Sequence, residues 1–303
     1  MGFSYYEYNY MKHAPEFDVP EDDPNYSSEN GVLFNKEKTV LLRFPTESPM
    51  REYTVPDSVE ELGMFAFGRC TLKSLHLNRV KRAALHAIWN CEQLSDLDFG
   101  TEIEVLTEGL LFGCHSLRHL TIPPNVRELE DCSIEMCTNL DEIVIPKTVK
   151  KLSRVPFGCS GSILLRLEYC DALLFVREQP LKGGKDGSLI DFEDYDSAFQ
   201  RLQFETRPLT AFLRVAYPVD LTEEWHRFYL SFLRSHIREL TDQFFAENRA
   251  EWMQMAIECG IIYKDNIDWM IEDSTRAGTT AITALLLNYK KKVMPEADDE
   301  FEL

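Results

Sequence analysis

The chain has 303 residues, room for two domains at roughly 150 residues each, and its 44% hydrophobic and 12% aromatic content supports a packed core and excludes global disorder. Its 51 acids against 32 bases give a formal charge of −19, which repels phosphate backbones and anionic lipid and so argues against nucleic acid or a membrane surface as partner. No apolar run approaches the roughly 18–20 residues of a membrane span, so no membrane insertion is expected.

The chain opens Met1-Gly2-Phe3-Ser4-Tyr5-Tyr6-Glu7, without the basic start and apolar stretch of a secretory signal. Tyr6 stands where an N-myristoylation motif requires Ser or Thr. A cytoplasmic location is therefore expected, with reduced thiols at Cys70, Cys91, Cys114, Cys132, Cys137, Cys159, Cys170 and Cys259. Residues 1–30 carry seven acids and Lys12 alone as a base, and the tail from Glu296 to Leu303 carries five acids and no base. Both ends read as acidic, solubilising segments.

Five cysteines mark an internal repeat: Cys70, Cys91, Cys114, Cys137 and Cys159 stand at successive intervals of 21, 23, 23 and 22 positions. The same apolar pattern follows each. Leu94, Leu97 and Phe99 come after Cys91; Leu117, Leu120 and Ile122 after Cys114; Leu140, Ile143 and Ile145 after Cys137. Leu72, Leu75 and Leu77 follow Cys70 one residue early, and Ser162, Leu165 and Leu167 follow Cys159. The upstream half recurs as Pro56-Val59-Leu62, Pro123-Val126-Leu129 and Pro146-Val149-Leu152, with Ile103-Leu106 and Val80-Ala83 as shorter copies.

These residues resemble the BspA-type leucine-rich repeat over about 51–170, most closely from Val55-Pro56 through Val59, Leu62, Ala66-Phe67 and Cys70. Upstream, Asn25-Tyr26-Ser27-Ser28 with Gly31-Val32-Leu33-Phe34 is similar to the family's hairpin-forming variant. The alternating end of Leu-x-x-Leu-x-Leu predicts a short strand, and stacking of coils about 4.8 Å apart predicts a parallel sheet. One coil cannot bury enough apolar surface to offset the cost of ordering it, so stability must be shared along the stack. The cysteines should then stack as buried small hydrophobes. Zinc would need close cysteine pairs, and Cys132 with Cys137 is the nearest approach.

Residues between the strand leucines face away from the core. They form one column of His76, Asp98, Thr121, Val144 and Arg166, and a second of Ser74, Asp96, His119, Glu142 and Leu164. This strip is polar and mixed in charge. The resemblance implies that this sheet face binds a protein or peptide.

Ala172-Leu173-Leu174-Phe175-Val176 predicts one more strand, and Gln179 to Ser188 a Gly-rich loop. Gly183-Gly184-Lys185-Asp186 lacks the glycine spacing and the Ser or Thr of a phosphate loop. From about 189 the period becomes helical. Trp225, Phe228, Tyr229, Phe232 and Leu233 form one stripe, with Thr222 as N-cap and Glu223 and Glu224 in the first turn. Trp252, Met255, Ala256 and Cys259 lead to Gly260; Ile267, Met270 and Ile271 lead towards Gly278; Ile282, Leu285, Leu286 and Tyr289 lead to Lys290-Lys291-Lys292. Asn248 and Ala256-Ile257 recur further along the chain as Gly278 and Leu285-Leu286, which is similar to degenerate ankyrin repeats.

The expected fold is α+β in two modules: a β-rich leucine-rich-repeat solenoid, then an all-α helical-hairpin, ankyrin-like module. The expected boundaries are an acidic segment with a capping hairpin at 1–50, repeats at 51–177, a linker at 178–188, helices at 189–292 and an acidic tail at 293–303. No His-Glu-x-x-His or Gly-x-Ser-x-Gly is present. Gly158-Cys159-Ser160-Gly161-Ser162 is only superficially a nucleophile turn, and His115 and His119 are read as surface residues. No catalytic, cofactor or metal residues are assigned. The expected function is a non-enzymatic interaction scaffold, with cell-surface adhesion and a cryptic enzyme site within 171–221 as alternatives.

Overall fold

The computed structural model describes residues 14–153, 155–158, 161–177, 181–184 and 187–294, and Arg177 by its backbone only. Cys159, expected to belong to the thiol stack, lies outside the described residues, as do the chain start through His13, Gln179-Pro180, Lys185-Asp186 and the acidic tail. The chain forms two compact units, Met1–Tyr195 and Asp196–Leu303. The architecture is the expected one: a β-solenoid followed by a helical module.

The solenoid opens on the antiparallel hairpin Tyr26–Glu29 with Val32–Asn35, closed by Asn30-Gly31, both at positive φ. Val40–Arg43 pairs antiparallel with the hairpin and parallel with Glu61–Leu62. From there each coil contributes to three ladders rather than the single sheet that the leucine pattern suggests. One ladder joins Glu52–Thr54, Ser74–His76 and Asp96–Asp98, then resumes as His119–Thr121, Glu142–Ile145 and Ser162–Leu167. A second joins Val40–Arg43, Glu61–Leu62 and Arg82–Ala83, then resumes as Val105–Leu106, Glu128–Leu129 and Lys151–Leu152. The third, Ile88–Trp89, Leu111–Phe112 and Ile134–Glu135, runs without a break. The two-residue strands escape a periodicity reading because they are too short to alternate.

The first two ladders break at the same turn, where the interval between cysteines lengthens from that of Cys70 to Cys91 to the longer one of Cys91 to Cys114. The longer turn bulges at Gly100-Thr101, where Thr101 N donates to Asn78 O at 3.1 Å. The solenoid therefore consists of two blocks that share a continuous third ladder. Its last strand, Ala172–Arg177, is antiparallel to Ser162–Leu167 and ends the stacking.

The third ladder is bracketed by left-handed residues. Phe65 and Arg69, His86 and Asn90, Gly109 and Gly113, and Cys132 and Met136 all have φ between 51° and 67°. Each pair turns the chain sharply on both sides of a short extended piece. The residue after the second turn enters the core: Cys70, Cys91, Cys114 and Cys137, all buried. This arc holds the thiols in register.

The helical module comprises seven α-helices among the described residues: α1 Phe192–Ser197, α2 Arg207–Ala216, α3 Glu223–Ser235, α4 Ile237–Ala246, α5 Ala250–Glu258, α6 Ile267–Arg276 and α7 Thr280–Val293. Thr222 caps α3 as expected, its side chain accepting from Trp225 N at 3.2 Å. The aromatic stripe of α3 packs around Phe199, whose ring centroid lies 5.6, 5.1 and 5.1 Å from Phe228, Tyr229 and Phe232. Helices α4–α5 and α6–α7 are two copies of one hairpin. Asn248 and Gly278 both turn left-handed, Arg249 N bonds Phe244 O at 2.9 Å and Thr279 N bonds Ser274 O at 3.0 Å. Gly260, at φ 68°, ends α5, as its position after Cys259 suggests.

Candidate functional site

The strands of the first ladder point one set of leucines inward and leave alternate residues outside. Leu75 is 0% and Leu120 2% exposed, while Asp96, Asp98, His119, Thr121 and Arg166 are exposed. Ser74, His76, Glu142, Val144 and Leu164 are partly covered by their neighbours. The register sets Ser74 beside Asp96 and His76 beside Asp98 in the first block. In the second it sets His119 beside Glu142 and Leu164, and Thr121 beside Val144 and Arg166. The ten residues thus stand in the columns that the spacing predicts within each block. The break in the ladder divides them into four and six.

The structure adds a rung. Glu52 and Thr54 pair with Ser74 and His76 and extend both columns upstream. The signal was present in the sequence, since Arg51 to Thr54 precede Val55-Pro56 as Lys73 to His76 precede Leu77-Asn78. At the other end, Ala172–Arg177 places Phe175 beside Leu164 and Leu173 beside Arg166.

Hydrogen bonds run between coils. Ser74 Oγ donates to Asp96 Oδ2 at 2.8 Å, and His76 Nδ1 lies 3.5 Å from Asp98 Oδ2. Glu142 links three coils of the second block at its surface: it accepts from Arg166 Nε at 3.0 Å and lies 3.9 Å from His119 Nδ1. Exposed pairs of this kind contribute at most about 1 kcal/mol each, so they order the face more than they stabilise the fold.

Ser74, His76 and Asp98 have the connectivity of an acid–base relay, because Ser74 Oγ is 3.2 Å from His76 Nε2. The geometry does not suit nucleophilic chemistry. The Ser74 proton goes to Asp96, the Asp98 link is long, and nearby amides are committed to the ladder, Ser74 N to Arg51 O at 3.1 Å and Leu77 N to Asp98 O at 2.8 Å. An oxyanion needs such amides free. Among the described residues no group of three or more His, Cys, Asp or Glu side chains is placed to hold a metal ion. In the same set no helix is long and apolar enough to cross a membrane. His115 Nδ1 bonds Thr138 Oγ1 at 3.0 Å, so it engages the next coil rather than sharing a ligand with His119.

A second surface lies on the helical module. Arg238, Asp242, Phe245, Asp273 and Arg276 of α4 and α6 line an open groove of about 500 Å³. Asp273 takes both guanidinium groups, Arg276 at 2.7 Å and Arg238 at 3.5 Å, while Arg238 also lies 4.3 Å from the Trp269 ring centroid. Burial, followed by the Asp273 charge, pushes the Asp242 carboxyl above its ordinary value. The groove brings together charges of both signs from two consecutive hairpins.

Residues 44–163 match the BspA type leucine rich repeat region in six copies. Among solved structures, a leucine rich cell surface protein from Faecalibacterium prausnitzii is 29% identical, over 43% of this chain and 36% of that one, with a TM-score of 0.41. The pneumococcal vaccine antigen PcpA is 22% identical over 52% of this chain and 41% of that one, with a TM-score of 0.46. A leucine-rich repeat protein from Eubacterium ventriosum is 20% identical over 56% of this chain and 55% of that one, at 0.38. This chain therefore spans about half or less of the length of these structures. No curated protein matches it.

Proposed function

We propose that this protein is a non-enzymatic scaffold that holds a protein or peptide against the solvent face of its leucine-rich repeats. The observation that carries this reading is the pair of in-register outer columns, polar but for Val144 and Leu164: Ser74–Asp96 and His76–Asp98 in one block, His119–Glu142–Leu164 and Thr121–Val144–Arg166 in the next. A ladder of stacked coils offers a long surface on which successive rungs present different side chains at fixed spacing. Such a face suits extended recognition rather than turnover of a small substrate.

The helical module is read as an ankyrin-like array offering a second contact surface. Support comes from the recurring hairpin, with Asn248 and Gly278 in the same left-handed turn. The proposed compartment is a reducing one, the cytoplasm; Cys70, Cys91, Cys114 and Cys259 are free thiols. Fractionation of the native host's cells tests that placement.

The scaffold reading is tested with the full chain as bait and the Asp96→Lys/Asp98→Lys double variant as control. The expected result is a specific partner retained by the wild type and lost by the variant, with superimposable melting curves. A partner retained equally by both would move the binding surface off this face, and retention of none by the wild type would remove the functional reading.

A further inference from the structure

Four thiols stand in one interior file. Cys70 is 3% exposed, and Cys91, Cys114 and Cys137 are 0% exposed. Each follows a left-handed residue (Arg69, Asn90, Gly113, Met136), so the repeated arc sets their alignment. Cys70 Sγ lies 3.2 Å from Cys91 Sγ, closer than two non-bonded sulfurs ordinarily sit, and Cys91 Sγ donates to Phe67 O at 2.8 Å. Coils stacked at about 4.8 Å fall within the Cα separations that a disulfide spans, roughly 4.4–6.8 Å. Burial, with hydrogen bonds to Cys114 and Cys70 added, pushes the Cys91 thiol up, while hydrogen bonds from Cys137 and Cys91 hold Cys114 down. The thiols thus engage one another along the file.

Cys70 and Cys91 belong to the same block, before the turn at which two of the three ladders break. Cys114 begins the next block. Of these four sulfurs, Cys70 ends the file and its residue alone retains measurable exposure.

We propose that Cys70 and Cys91 are an oxidative cross-linking site, closing into an inter-coil disulfide when the protein meets a hydroperoxide. In the first step the Cys70 sulfur attacks one peroxide oxygen and the O–O bond breaks. Cys70 becomes a sulfenic acid, and the departing hydroxide takes the thiol proton as water. In the second step the Cys91 sulfur attacks the Cys70 sulfur, the S–S bond forms and the S–O bond breaks. The leaving hydroxide takes the Cys91 proton as a second water. Two thiols lose two electrons, and one hydrogen peroxide becomes two waters. The bond fastens the coil that bears Ser74 and His76 to the one that bears Asp96 and Asp98, which the ladder already pairs in register.

The test treats native full-length protein with stoichiometric hydrogen peroxide, removes the excess with catalase, then denatures and alkylates. Intact mass counts the free thiols, and a combined tryptic and glutamyl digest separates Cys91 from Cys114. The expected result is loss of two of the eight thiols, a peptide pair joining Cys70 to Cys91, reversal by dithiothreitol, and a raised urea midpoint in the oxidised wild type. Neither Cys70→Ala nor Cys91→Ala should form the link or show the rise. The inference is overturned if all eight cysteines alkylate after peroxide, if Cys70 gains oxygen without a cross-link, or if the bond maps to Cys91 and Cys114. The wild-type map stands alone even if a variant folds poorly.

Discussion

Asp196 and Arg214 are 1% and 0% exposed, a carboxylate and a guanidinium group enclosed together. The guanidinium donates to both carboxylate oxygens, at 2.7 and 2.9 Å, and also reaches Val219 O at 3.0 Å. Tyr229 Oη completes the carboxylate at 2.8 Å, so one acid near the end of α1 ties α2 to α3. Removing one partner of a buried pair leaves the other charge uncompensated, at a cost of roughly 3–5 kcal/mol. Asp196→Asn is therefore expected to lower stability by about that amount in urea unfolding followed by helical signal; a loss below about 1 kcal/mol would mean that water reaches Arg214. Nothing in the sequence marks this pair, because two ordinary residues far apart in the chain carry no pattern. A comparison of glycines works the other way. Gly100 and Gly260 both sit at positive φ, but a Cβ on Gly100 would meet Asn78 O at 1.9 Å, while one on Gly260 has open space. Gly260→Ala should cost only the left-handed penalty, about 1–2 kcal/mol. Gly100→Ala should add roughly a further 1–3 kcal/mol for the forced shift of backbone. Equal midpoints for the two variants would show that the bulge at Gly100 relaxes freely.

The three-residue arc of the third ladder is the element on which the solenoid turns, and it is built at a conformational cost. Phe65, Arg69, His86, Asn90, Cys132 and Met136 all occupy the left-handed region, and only the coil with Gly109 and Gly113 is relieved. A residue with a Cβ pays about 1–2 kcal/mol there, whereas glycine loses roughly 0.5–1 kcal/mol through its freer unfolded chain. Met136 is 36% exposed, so any truncation gives up the burial of most of its side chain. Met136→Gly is accordingly expected to be more stable than Met136→Ala by about 0.5–1 kcal/mol in thermal or urea unfolding, because glycine alone escapes the left-handed penalty. A glycine variant no more stable than the alanine one would show that this turn costs the chain little. This arc also shows where reading the sequence stops. The cysteine spacing and the Leu-x-x-Leu-x-Leu ends were legible because burial repeats with the coil, and they placed the ten outer residues in their columns. The arcs were not, because positive φ selects residue types weakly when stacking fixes the turn. The break between blocks was present only as a lengthened cysteine interval, and its consequence depends on hydrogen bonds that no side-chain pattern reports.

At the scale of the whole solenoid, coils equivalent by position should be interchangeable, since each one meets mainly its two neighbours. The second block supplies the test. Deleting 115–137 removes one strand from each ladder, namely His119–Thr121, Glu128–Leu129 and Ile134–Glu135, and joins Cys114 to Thr138. Thr138 then stands where His115 stood, and Glu142–Ile145 replaces His119–Thr121 as the next rung, so every inward residue keeps its direction. The shortened protein is expected to remain folded, to unfold cooperatively and to show a smaller denaturant slope, because less surface is exposed on unfolding. A deletion of half that length, 115–126, shifts the register by half a coil. It carries leucine positions to the outer face and polar ones inward, so it should abolish the solenoid's cooperative transition. If both deletions behave alike, stability does not reside in coil-to-coil stacking. If the full-coil deletion folds but loses the partner while Asp96 and Asp98 are untouched, then recognition spans the break between blocks and draws on the rung that carries His119 and Thr121.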